Sequence, residues 1–123
     1  MIDNMDQIKE LVAEAIGSDV YEAYPQKKTK VPFAIVVQTS NNALLTDRYG
    51  EDIVARMDYS VQIFAKNNTE LRRMEEAIVR AGTPIRFRRM GKTPGWSDQT
   101  HGPTRILFFE MVLDKRNTPH IIG

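Results

Sequence analysis

The stretch DIVARMDYSVQIFA, residues 52–65, decides the fold. Ile53, Ala55, Met57, Tyr59, Val61, Ile63 and Ala65 recur at every second position, and Arg56, Asp58, Ser60 and Gln62 lie between them. Successive side chains of a strand point to opposite faces, so this period of two predicts a long strand with one buried face. The polar Lys66-Asn67-Asn68 ends it. A sheet that buries one face needs a covering layer.

The period changes to that of a helix on both sides. Upstream, Met5, Ile8, Leu11, Val12, Ala15 and Ile16 recur at three- and four-residue spacing, which predicts a helix over Asp3–Ile16 with Gly17 as its stop. Downstream, Asn67 and Glu70 have capping-box spacing, with Asn in place of Ser or Thr. The helix they open runs to about Ala81, with Leu71, Met74, Ala77, Ile78 and Ala81 on one stripe and Gly82 at its end.

Three further strands are predicted. FAIVVQT, 33–39, is a β-rich apolar run and reads as an interior strand covered on both faces. TPIRFRRM, 83–90, reads as a shorter strand with Ile85 and Phe87 inward. TRILFFEMVLD, 104–114, is apolar on both faces, so it is central or lies under a helix or a neighbouring subunit. The connector DVYEAYPQKKTKVP, 19–32, is irregular, with room for a brief strand at Val20–Tyr24. SNNALLTDRYGED, 40–52, and MGKTPGWSDQTHGPT, 90–104, read as long loops. The expected fold is an α+β domain of order α-β-β-α-β-β. It has a mainly antiparallel sheet of about four strands, with two helices packed on one face. Residues 1–123 form one domain, with 1–2 and 115–123 as flexible tails.

Composition narrows the function. A chain of 123 residues can bury one real core. It has no cysteine, which removes disulfides, thiolate catalysis and Cys-based metal sites and suits the cytosol. Net charge is +1, too small for whole-molecule attraction to nucleic acid or membrane. The acidic, amphipathic start lacks the pattern of a signal peptide, and no apolar run approaches a membrane span. The sequon Asn67-Asn68-Thr69 is therefore expected to stay unmodified. The charges are unevenly placed. Residues 1–26 hold six acids and one base, and residues 66–92 hold eight bases and three acids. Such a split suits copies that pack acidic face to basic face.

The candidate chemistry is thin. Gly91-Lys92-Thr93 resembles part of a phosphate loop, but Arg86 stands where its first Gly belongs and Pro94-Gly95 follows where a helix should open. His101 and His120 lack partners at metal-ligand spacing, and Asp98, three before His101, fixes no geometry in a loop. Asp47, Glu51, Asp52 and Asp58 lack the ordered spacing of a calcium loop. No catalytic residue, metal ligand or cofactor is expected.

Arg86, Arg88, Arg89 and Lys92 form the one conspicuous cluster. Arg86 and Arg88 are expected on one strand face, and Arg89 breaks the alternation, so the strand ends or bulges there. Three readings fit: a solvated edge that discourages aggregation, a phosphate contact, or pairing with an acidic neighbour. Trp96 on a Pro-Gly loop either docks on a partner or folds back on its own domain, and Leu44-Leu45 raise the same question. Long loops carrying apolar residues favour an interaction module. No aromatic RNA-binding pair and no helix-turn-helix pattern is present.

One order of features is familiar. An amphipathic helix precedes Tyr24-Pro25, then come VPFAIVVQT, a polar Asn/Asp loop, MDYSVQIFAKN, the helix TELRRMEEAIVRAG and the closing strand ILFFEMVLD. From about residue 3 to residue 114, this order resembles the tail-terminator or tail-completion proteins of long-tailed bacteriophages and prophages. The resemblance implies a virion protein of the tail or neck, assembled in the host cytoplasm, whose α+β subunits form a ring, commonly a hexamer. It implies contacts with the tail tube protein and the head-tail connector, and double-stranded DNA passing through the lumen without sequence-specific contacts. It implies no catalysis, no cofactor and no membrane partner. It carries over no site residues, because the family shares no catalytic motif. Arg86, Arg88, Arg89, Lys92, Trp96, Leu44 and Leu45 are then candidates for the subunit interface or the lumen. A head-side connector or head-closure protein of the same neck is the alternative, followed by a non-specific nucleic-acid-binding module.

Overall fold

A computed structural model describes residues 4–25, 29–50 and 52–114. The elements follow in the order α1 (Met5–Ile16), β1 (Val20–Tyr21), β2 (Phe33–Thr46), β3 (Asp52–Phe64), α2 (Asn68–Gly82), β4 (Arg88–Ser97) and β5 (Gly102–Asp114). The strands form one five-stranded sheet in the order β1-β2-β3-β5-β4. β1 runs parallel to β2, and every other pairing is antiparallel. The fold is thus α+β with a mixed sheet, one short strand more than expected.

The alternating stretch behaves as its period demands. Ala55, Met57, Tyr59, Val61 and Ile63 are all buried on one face of β3. Their cross-strand partners continue that face: Ala34 and Val36 on β2, and Leu107, Phe109, Met111 and Leu113 on β5. Ile8, Val12 and Ile16 of α1 and Leu71, Met74 and Ile78 of α2 complete the same core. Each buried aliphatic side chain there contributes about 1.5–3 kcal/mol relative to exposure. Both helices therefore cover one face of the sheet.

Two helix ends match their sequence signals, whereas α2 includes Gly82 and passes straight into the 3-10 turn at Thr83. Gly17 takes the left-handed conformation at φ 66° and donates its N–H to the Ala13 carbonyl. The Asn67 side chain accepts from the Glu70 N–H at 2.8 Å, while the Glu70 carboxylate accepts from the Lys66 N–H at 3.0 Å. The reciprocal arm thus reaches one residue further back than in the usual capping box. The start of the first predicted helix at Asp3, and both predicted tails, lie outside the described residues.

The second sheet face is covered only at one corner. Phe33 and Phe64 are register partners there and stack at 4.4 Å, and Tyr24 of the connector meets Phe64 edge-on at 5.6 Å. Tyr21 and Val31 pack on the same cluster. β2 is therefore not covered on both faces throughout, because Val37, four residues on, is 40% exposed. Among the described residues nothing covers Phe108 or Val112 on this face of β5.

Two predicted boundaries are corrected. Residues 40–46 are strand, so β2 and β3 form one long hairpin around a tight turn at 47–50 rather than flanking a long loop. Residues 83–90 are not one strand. Thr83–Ile85 form a 3-10 turn, Arg86 follows at φ 59°, and β4 begins at Arg88. Phe87 does point inward, stacking on Phe109 at 4.2 Å and meeting Tyr59 edge-on at 5.6 Å. The stretch 90–97, expected as loop, is β4 itself.

Candidate functional site

Shifting β4 changes where the basic residues go. Antiparallel register partners share a face. Arg89 lies opposite Phe109 and Lys92 opposite Leu107, so both join the helix-covered face. Arg88 lies opposite Glu110 and takes the other face. The register slips between Arg89 and Gly91, so the expected bulge falls at Met90. Arg86 is on no strand, against expectation, yet it borders one hollow with Arg88, Glu110 and Val112.

Arg89 and Lys92 converge on Glu75 of α2, together with Arg105 of β5. Arg105 Nη1 lies 2.6 Å from Glu75 Oε1 and Lys92 Nζ 3.5 Å from Oε2, and Arg89 donates to Oε2 as well. The Glu75 side chain is only 5% exposed, whereas Arg89 is 38% and Lys92 49% exposed. Burial alone pushes the Glu75 carboxyl up. The hydrogen bond from Arg105, the charges of Lys92 and Arg105 and the Arg89 bond outweigh burial and hold it below the ordinary range. One carboxylate among three cations leaves a surplus of positive charge, held in place by a buried anchor. Arg80 and Arg89 also border a small hollow beside Glu75 and Val79.

A second, balanced network crosses the open face. Glu110 accepts from Arg56 at 2.9 Å and from Arg88 at 3.2 Å, and Arg56 also approaches Asp58 at 3.6 Å. The Ser40 hydroxyl donates to Asp58 across the hairpin. Two arginines thus meet two carboxylates, and Arg86 borders the same hollow as Arg88, Glu110 and Val112. Around this belt, Val37, Phe108 and Val112 are exposed on the same sheet face.

The remaining candidates are scattered. Trp96 is on β4 opposite Pro103 rather than in a loop, and it is 64% exposed. Leu44 and Leu45 are exposed near the tip of the β2–β3 hairpin. Both outer edges of the sheet are open for much of their length. β1 pairs only with Ala34 and Ile35 of β2, and β4 pairs only with β5. Gly91-Lys92-Thr93 lies within β4 and opens no helix, which leaves the phosphate-loop reading without its geometry.

Sequence reasoning missed Glu75, Arg105, Glu110 and the open-face Phe108. Glu75 had a signal, since it lies four residues after Leu71 and three before Ile78, within the apolar stripe. Among the described residues no group of three or more His, Cys, Asp or Glu could hold a metal ion. His101 follows β4 in the turn at φ 52°, and His120 and Glu51 lie outside the described residues. Asp47 accepts from the Tyr49 N–H within its turn, well apart in role from the Asp58 network. No helix among the described residues is long and apolar enough to cross a membrane. No protein-family model matches the chain, and no curated protein matches it.

Proposed function

We propose that this chain is a structural ring subunit of a bacteriophage neck, similar to a tail terminator. It caps the tail tube, joins the head-tail connector and lets double-stranded DNA pass through a hexameric ring. The observation that carries the reading is the half-covered sheet. Helices bury one face, while the other presents Val37, Phe108 and Val112 to solvent between two open edges. Open edges and a bare apolar face are features that assembly covers. Resemblance in the order of elements supplies the particular assembly.

The experiment is to mix the purified protein with tail tubes and follow it by sedimentation and electron microscopy. Rings at tube ends, with tube growth stopped, are expected. A protein that stays monomeric and leaves tube growth unchanged refutes the reading. The surplus charge around Glu75 favours one other reading, a non-specific duplex-binding module. That module predicts binding that weakens steeply with salt. Absence of duplex binding at about 50 mM salt removes it.

A further inference from the structure

The cation cluster anchored on Glu75 has a counterpart of opposite charge elsewhere on the same surface. Asp6, Glu10 and Glu14 of α1 recur at four-residue intervals and all three are exposed. No cation among the described residues forms an ion pair with any of them; Lys9 pairs instead with Glu22. Like charges at this spacing oppose helix formation by about 0.2–0.5 kcal/mol per pair, so the stripe is a cost to the isolated subunit. The three acids rim a groove of about 820 Å³ lined also by Leu11, Ala15, Ala81 and Ile85 and by Asn4 and Gln7, with no cation among the described residues. The groove thus combines an apolar lining with a negative rim.

The basic surface has the complementary character. From Arg88 to Trp96, every residue of β4 except Gly91 is exposed. The strand offers Arg89 and Lys92 as cations, and Met90 and Trp96 as large apolar groups, 59% and 64% exposed. Glu75 fixes the cations without neutralising them all. The spacing also matches. Carboxylates four residues apart on a helix repeat every ~6 Å. Arg89 and Lys92, neighbours on one face across the bulge, repeat at about two strand residues, ~7 Å.

One chain does not join these surfaces. α1 packs against α2 and over β1 and β2, and β4 forms the far edge of the sheet. A head-to-tail contact between copies would bring them together, because such a contact joins two different patches and generates rings. We infer that the acid-rimmed α1 groove of one copy receives the β4 edge of the next, with Glu10 and Glu14 meeting Arg89 and Lys92 and with Met90 and Trp96 against the apolar lining. This rests on the ring reading and specifies its subunit contact.

A charge-swap experiment tests it. One variant carries Glu10→Lys and Glu14→Lys, and the other carries Lys92→Glu, which spares Arg89 and Arg105 as partners of Glu75. Circular dichroism and thermal melting confirm that each is folded. Assembly is measured by sedimentation velocity, alone and with tail tubes. Each variant alone is expected to associate at least about tenfold more weakly than wild type. Their equimolar mixture is expected to pair more tightly than either variant alone, since the unaltered helix of one variant meets the unaltered strand of the other and restores the wild-type contact. If the helix variant assembles like wild type, or the mixture pairs no more tightly than either variant alone, the inference falls and the ring reading stands. If wild type itself forms no assembly up to about 1 mM, with or without tubes, both fall. If Lys92→Glu loses only duplex binding and assembles normally, the cluster serves nucleic acid and the inference falls.

Discussion

Glu75 shows how one side chain can organise a surface. It sits where the stripe of α2 calls for an apolar residue, and three cations from two strands compensate its burial. Its carboxyl titrates below the ordinary value of about 4.5. A depressed carboxyl stabilises the fold wherever it is ionised. That contribution is complete above about pH 4.5 and is lost as pH falls through the lower folded value. Glu75→Gln keeps the shape and removes the charge. It should lower stability at pH 7 by about 1–3 kcal/mol, discounted because two of the cations are substantially exposed. Denaturant unfolding should show the gap to wild type narrowing below about pH 4.5. A gap that ignores pH would mean the ion pairs contribute nothing. The charge of Glu75 on an apolar stripe was visible in the sequence. Its partners were not, because Arg105 is 30 residues away and alternates on a strand whose two faces are both apolar.

At the scale of elements, the legible parts were those with one strong period. β3, α2 and the caps at Gly17 and Asn67 fall where spacing puts them. β4 was misplaced for a physical reason. Ile85 and Phe87 imitate strand alternation, but Pro84 fits a 3-10 turn that hands Phe87 to the core. β4 itself, as an edge strand, buries so little that it carries no apolar period, and Pro94 and Gly95 suit an edge. The hairpin arm at 40–46 carries no apolar period for the same reason, and its Leu44 and Leu45 stay exposed. The turn between α2 and β4 depends on close packing. A Cβ at Gly82 would lie 2.7 Å from the Phe87 carbonyl oxygen, whereas one at Gly17 would meet nothing within 4 Å. Gly82→Ala should therefore cost about 1–3 kcal/mol through overpacking. Gly17→Ala should cost about 1 kcal/mol through its left-handed backbone alone. Asn67→Ala should cost about 1 kcal/mol by removing the bond to the Glu70 N–H. Thermal melts of the three rank them, and equal losses at the two glycines would refute the packing argument.

At the scale of the whole molecule, the open sheet face separates subunit from assembly. Its Arg56 and Arg88 are engaged by Asp58 and Glu110 rather than free to meet DNA phosphates. Its apolar groups instead suit a protein partner. Phe108 and Val112 lie four residues apart on β5, 40% and 42% exposed, on the face opposite the helix-covered core. Phe108→Asp combined with Val112→Asp should cost the isolated subunit about 2–4 kcal/mol, since each side chain is more than half buried, and leave it folded. The Asp at position 108 would stand opposite Ser60 and two residues before Glu110. In the assembled ring the same charges would be buried without partners, at a cost of several kcal/mol. The double variant should therefore remain folded and monomeric and fail to cap tail tubes. If it caps them as wild type does, the open face stays in contact with water in the particle. The apolar groups on it would then need a different explanation.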